Sequence, residues 1–465
     1  MRTKKSYFFI IGALVVSLLA ACSSAAPTPL AATDVPAQVE EATPVQQSVP
    51  ATKEVPTEEP AMEPVTIQVF YPVAVDAPIT EVLNKYIADF QAEYPYITVE
   101  PVFSGGYPDV QTAIQTTIDG GGQPPALAVL LATSLYDLIN ADYIAPMDGY
   151  VASMENGEAY LADFMPAFLA NSYYDDQLWS IPFQRSAVVL YYNVDMFTAA
   201  GLEPPTSWQS WADAAQALTT KNGNTTNWGM QFSSDWPYWL FQPLAMGAGQ
   251  NIFTDDCHVA FNDPAVIEAV QFYNDLSAQY GAMPAGVQAS WASSATDFSS
   301  GLTAMVAHTS GSLTSILKQA QFEVGVMPYP GKETGTFASV PGGGNFYILK
   351  GAPQEQQDAA WKFIEFITRP EYVADYSINT GYIAHRLSAY ETEAMQSYVA
   401  EVPQALATRD ALQYAGAELA IQNLGQVRTI FHDYIQRAFN GEMNAADAMN
   451  AAQSEAETAL ADFCP

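Results

Sequence analysis

Four histidines, His258, His308, His385 and His432, are scattered along the 465 residues. No His-x-x-x-His or Cys-x-x-Cys spacing groups them, so a bound metal is not expected. A nucleophilic serine on a Gly-x-Ser-x-Gly elbow is absent, which removes the commonest esterase signature. The chain carries 50 Asp and Glu residues, so close carboxylate pairs must occur by chance and say little about glycoside hydrolysis. Gly342, Gly343 and Gly344 lack a following Lys-Ser and precede a strand-like run, so they do not read as a nucleotide cradle. Close approach of backbone to a ligand, or a hinge, suits them better. No cofactor is expected, and neither is an enzyme. What remains is the chemistry of binding. Arg428, between Val427 and Ile430 in a helical pattern, reads by spacing alone as a solvated or ion-paired helix arginine. Arg185 in "QRSAV" is a second candidate. Aromatic residues make up 12 % of the chain and cluster in "SDWPYWLFQP", "SWQSW" and "NSYYDDQLW". Most such rings pack a core.

The ends bound the setting. Arg2, Lys4 and Lys5 precede an apolar run from Tyr7 to Leu19, followed by Leu19-Ala20-Ala21-Cys22. That is the plan of a secretory signal, and the run is shorter than the ~20 residues a bilayer span needs. The last four residues look like a bacterial lipobox, so residues 1–22 read as a lipoprotein signal segment whose Cys22 is the expected acylated first residue of the mature chain. Residues 23–63 are rich in Pro, Ala, Thr and Glu without an aromatic side chain, a composition that cannot bury enough surface to order itself. Stiffened by proline at ~3.1 Å per residue, this tether reaches on the order of 100 Å. The chain is thus expected on the outer face of the cytoplasmic membrane, held there by its lipid alone. Its net charge of -34, from 16 Lys and Arg against 50 Asp and Glu, repels nucleic acid and anionic lipid. Beyond Cys22 only Cys257 and Cys464 remain, and export permits but does not require a disulfide between them.

The remaining roughly 400 residues exceed one core and predict two domains. Ile67, Val69 and Tyr71 alternate as in a strand. Val82, Leu83, Tyr86, Ile87 and Phe90 then follow at helical spacing, and "ITVEPVF" reads as a second strand. This βαβ opening is followed by a glycine-ended helix and the buried strand "PALAVLLA". A second α/β series starts after residue 200, with Thr206 or Ser207 as an N-cap. Ala360, Phe363, Ile364 and Ile367 mark a strong amphipathic helix. The next helix closes at Gly381, and Asn444 caps the last.

The strings "IPF…SAVVLYYNVDMFTAAGLEPPTSW", "AMVAHTSGSL", "GVMPYPG" and "KFIEFITRPEYVADYSINTGYIA" resemble the family 1 extracellular solute-binding proteins of ABC importers. They cover most of residues 64–465 in the family's order. The pattern is most similar to that family's glycerol-3-phosphate-binding branch. The resemblance implies an α/β, two-lobed periplasmic-binding-protein-like fold (type II), with an interlobe cleft and multiple hinge crossings near "QRSAV", "HTSGSL" and "GGGNFYI". It places lobe 1 at 64–185 plus 310–343 and lobe 2 at 186–309 plus 344–465. It also implies a monomer that hands a small polar solute to permease subunits. Matched one at a time, Tyr107, Ser186, Thr309, Gly343, Tyr382 and Arg428 fall on ligand-binding positions, with Arg428 at the phosphate end. Trp208, which opens the helix after the first crossing, is the expected cleft wall. Where the relatives hold the glycerol hydroxyls with an acid, this chain has Ala132. The expected ligand is therefore glycerol 3-phosphate or a glycerophosphodiester, with a neutral sugar or oligosaccharide as the competing reading.

Overall fold

The computed structural model describes residues 62–464, apart from Asn224 and Val287. The signal segment, Cys22 and all but the end of the tether lie outside the described residues. No described helix is long and apolar enough to cross a membrane.

Eight strands form one sheet that runs through both halves of the molecule. They are β1 (Val65–Tyr71), β2 (Ile97–Phe103), β3 (Leu127–Leu131), β4 (Ile181–Asn193), β5 (Gln231–Phe232), β6 (Met305–Thr309), β7 (Val324–Met327) and β8 (Pro341–Ile348). Their order is β2-β1-β3-β8-β4-β6-β5, with β7 paired to the far end of β4. β1 pairs in parallel with β2 and β3, as a βαβ opening requires, while β8 and β4 run antiparallel to their neighbours. The alternation Ile67, Val69, Tyr71 points into the first core, and the helix Ile79–Glu93 covers it with Val82, Leu83, Tyr86, Ile87 and Phe90. Burial of each such side chain contributes roughly 1.5–3 kcal/mol.

Two strands carry the connection between halves. β4 starts in the first core with Ile181 and Phe183 and ends in the second with Val188 and Leu190. β8 leaves Val340 in the second core and delivers Phe346 and Ile348 to the first. The two strands pair where both cross, Ser186 opposite Gly342 and Arg185 opposite Gly343.

This crossing corrects the expected lobe partition. Residues 344–382 belong to the first core, since the helices Gln354–Ile367 and Pro370–Thr380 place Phe363, Ile364, Ile367 and Tyr376 against β1 and the first helix. Residues 313–340 stay with the second half, where Leu313, Ile316 and Val324 pack on Val189 and Tyr191, and Tyr329 and Val340 join the larger core. The turn at Thr309 therefore folds back on its own half instead of carrying the chain across. The sense of the β8 crossing decides this, because a glycine run marks a crossing without giving its direction.

Local caps follow the sequence. Ser207 accepts the Ser210 N–H at the start of the helix Trp208–Leu218, and Asn444 accepts the Asp447 N–H at the start of Ala445–Leu460. Gly381 ends Pro370–Thr380 in the left-handed conformation that glycine adopts without strain. Cys257 and Cys464 are joined by a disulfide that closes 207 residues.

Candidate functional site

A cavity lies beside the β4–β8 crossing, bounded by side chains of both halves. From the first half come Ala74, Val75, Tyr107, Leu131 and Tyr382; from the second come Trp236, Tyr238, Trp239, Trp291, Thr309 and Glu418. Ser186 and Gly343 supply the floor from the crossing strands.

Each lining residue has a local reason for its position. Tyr107 opens the helix Tyr107–Asp119 directly after Gly105 and Gly106, and its hydroxyl donates to Gln184 Oε1 at 3.0 Å. Gly344 makes room for it, since a Cβ there would stand 2.6 Å from the ring. Gly343 has φ +98°, and a Cβ on it would meet the Gln184 carbonyl oxygen at 1.9 Å. Only glycine lets the two crossing strands approach this closely. Thr309 ends β6, with its hydroxyl accepting the Gly311 N–H at 3.1 Å. Tyr382 follows the Gly381 cap and stacks on Tyr376 with ring centroids 5.9 Å apart.

The aromatic wall is built by the helix Pro237–Gly247 and by Trp291 at the head of Trp291–Ser299. Trp239 Nε1 donates to the Pro341 carbonyl at 2.8 Å and pins this wall to the crossing strand. Gly342 again makes room, because a Cβ there would lie 2.3 Å from the Trp239 ring. Trp291 packs against His308 at 3.9 Å between centroids, and burial holds that histidine neutral, with its pKa pushed down to about 4. Trp236 takes φ +56°, an uncommon conformation for a bulky residue, just before the helix.

Glu418 is the one acid lining the cavity. It is 2 % exposed and accepts from Asn171 Nδ2 at 3.4 Å. Burial raises its pKa to about 8, against the opposing pull of Arg185 and Arg428. Neither arginine lines the cavity. Arg185 is fully buried beneath the floor, with Nη1 donating to Asn345 Oδ1 at 3.2 Å and its Nε and Nη2 without partners. Arg428 stands behind the wall, its guanidinium 5.3 Å from the Trp236 ring and 5.9 Å from that of Tyr238.

Of the residues singled out from sequence, the structure thus gathers Tyr107, Ser186, Thr309, Gly343 and Tyr382 in one cavity. Arg428 supports the wall instead of lining it. Trp208 is not a cleft wall: it stacks on Phe272 at 4.5 Å and 8° inside the second core. Its helix presents that ring to Phe272 of Pro264–Ala278. Ala132 is buried, its carbonyl accepting from the Tyr347 hydroxyl at 3.2 Å. Sequence reasoning named Tyr238 only as part of the cluster "SDWPYWLFQP" and passed over Trp291 and Glu418. The last had a visible signal, a lone acid in the otherwise apolar "AGAELAI".

The model of the bacterial extracellular solute-binding protein family matches residues 85–404, which is most of the chain. The chain belongs to that family. Among curated members it is 25 % identical over 412 residues to the sn-glycerol-3-phosphate-binding periplasmic protein UgpB of Pectobacterium atrosepticum, covering 82 % of this chain and 88 % of the relative. It is 27 % identical over 400 residues to UgpB of Escherichia coli, covering 80 % and 88 %. The fold matches UgpB from Mycobacterium tuberculosis in complex with glycerophosphocholine, with TM-score 0.76, 22 % identity, and 85 % and 98 % of the two chains covered. A maltose-bound protein of T. maritima matches with TM-score 0.74 and 19 % identity, over 85 % and 99 %. In this member of the family the cavity lined by both halves is the candidate solute site.

Proposed function

We propose that this chain is the extracellular receptor of an ABC importer and that its cavity captures a glycerophosphodiester, the class to which glycerophosphocholine belongs. The observation that carries this reading is the lining itself: six aromatic residues, two hydroxyl side chains, the Gly343 backbone and one acid, with no cation among the described residues that line it. A phosphate monoester brings close to two negative charges into such a site, and the chain's net charge of -34 opposes it further. A diester brings one, which the buried guanidinium of Arg185 and the half-buried one of Arg428 offset from behind the lining. The floor offers the Ser186 and Thr309 hydroxyls and backbone dipoles for its oxygens. The similarity to the glycerol-3-phosphate-binding relatives supports a ligand that contains a glycerol phosphate unit, though those relatives are named for the monoester.

A neutral sugar is the second reading, favoured by Trp236, Trp239 and Trp291 on one wall, where rings of this kind stack against apolar sugar faces. The protein binds its solute without turnover, as a monomer. Acylation of Cys22 and the tether after it hold it at the membrane, and permease subunits receive the solute. Titration calorimetry with glycerophosphocholine, glycerol 3-phosphate and maltose separates the readings. Tightest binding of the diester, at one molecule per chain, is expected. Binding of maltose alone would replace this reading with the second, and conversion of any bound ligand on incubation would overturn the receptor assignment.

A further inference from the structure

The Glu418 carboxylate faces the cavity with less hydrogen bonding than a buried acid requires. Its contact is one long bond, from Asn171 Nδ2 at 3.4 Å, and no described cation lies within salt-bridge distance of it. Ionised or protonated, a carboxyl group keeps acceptor lone pairs, and leaving them empty in a buried place is costly. The group is held in position from several sides. Leu419 N–H donates to Gln242 Oε1 at 3.1 Å, and Gln242 Nε2 returns to the Ala417 carbonyl at 3.3 Å, so the backbone on both sides of Glu418 is fixed to the helix Pro237–Gly247. Asn251 Nδ2 donates to the same Ala417 carbonyl at 2.9 Å. An acid so fixed, buried and left open toward a solute cavity is placed to accept.

We propose that Glu418 is a specificity-determining residue that accepts hydrogen bonds from the hydroxyl groups of the bound solute, reading its polyol end. This rests on the assignment of the cavity as the solute site and names the part of the ligand that Glu418 contacts. A cationic ligand group is the other natural partner for a carboxylate beside aromatic rings. The two guanidiniums argue against it, since Arg185 and Arg428 are both close enough to act on Glu418 and would repel a third positive charge. Hydroxyl donors carry no such penalty. They also satisfy the acceptor capacity that Asn171 leaves unused.

The test is calorimetry on the mature chain, wild type and Glu418→Gln, with four probes: glycerophosphocholine, glycerol 3-phosphate, maltose and phosphocholine. Phosphocholine keeps the phosphate and the quaternary ammonium but lacks glycerol hydroxyls. Glutamine keeps the shape and one acceptor oxygen, and far-ultraviolet dichroism verifies the fold. The expected result is a loss of about tenfold or more in affinity for whichever hydroxyl-bearing probe the wild type binds, with phosphocholine affected less than threefold. Equal affinity of both proteins for the hydroxyl-bearing probe overturns the proposal, as does a selective loss of phosphocholine, which would mark a cation partner. Wild-type binding of maltose without the glycerol phosphates overturns the diester reading while still testing Glu418 on the sugar. Binding of none of the four overturns both.

Discussion

Gly343 and two tryptophans give the sharpest residue-scale expectations. A methyl on Gly343 has to displace the Gln184 backbone, so Gly343→Ala should cost roughly 2 kcal/mol or more of stability and weaken solute binding. An unchanged melting temperature would contradict that. Trp208→Ala should cost about 3–5 kcal/mol, as for any large core aromatic, while the surviving fold binds its solute normally. Trp291→Ala should do the reverse, losing about tenfold in affinity with a smaller stability loss. Thermal melts read beside titrations separate the two. Titration of buried groups adds a pH signature. His308 and His385 are held neutral by burial, with pKa values lowered from 6.5 to about 4 and about 3. Their contribution to stability is complete above pH 6.5 and is lost as the pH falls through those values. Glu418 acts in the opposite sense: raised from 4.5 to about 8, it contributes most below pH 4.5 and loses that contribution as the pH rises through 8. Urea midpoints of ligand-free Glu418→Gln should therefore decline less than wild type between those limits. Tyr107, Thr309, Gly343 and Tyr382 were legible only through the family resemblance, each lying in a short string that the resemblance matches. Glu418 and Trp291 were not, because only tertiary packing brings them to the cavity.

Among the elements, the helices were the most legible. The spacing of Val82, Leu83, Tyr86, Ile87 and Phe90, and of Phe363, Ile364 and Ile367, matches the buried faces found. Periodicity tells which face is buried and is silent about which core buries it, so Gln354–Ile367 could not be placed in the right half before β8 was seen to cross. The helix Leu424–Phe439 shows the same limit, since its apolar face is plain but the stacking of Arg428 on Trp236 and Tyr238 depends on a distant helix. Arg428→Ala should therefore weaken binding only about three- to tenfold, by loosening the wall. A loss of a hundredfold would instead indicate direct contact with the solute. The disulfide gives an independent check on the halves. Cys464 packs on the second core and the residues around Cys257 belong with it, so the bond restrains one half and leaves the crossings free. Replacing both cysteines by serine should lower stability by about 2–5 kcal/mol and leave affinity unchanged.

For the whole molecule, the cavity exists because two halves meet across it. Asp76 of the first half accepts from Ser315 Oγ at 3.1 Å and Gln319 Nε2 at 3.3 Å of the second. On another side, Asn140 Nδ2 donates to Gln422 Oε1 at 2.7 Å. On the proposed function, entry of a solute between the halves would break these contacts, with the paired β4 and β8 strands as the elements to flex. A ligand that bridged Tyr107 and Tyr382 to Trp239 and Trp291 would favour the closed arrangement further. Hydrogen exchange of the mature protein with and without glycerophosphocholine tests this most directly. Slowed exchange is expected together at residues 184–187, 309–312 and 341–345, and at Asp76, Asn140 and their partners across the mouth. Protection confined to one half, or no change at saturating ligand, would contradict capture by closure of the two halves around a solute.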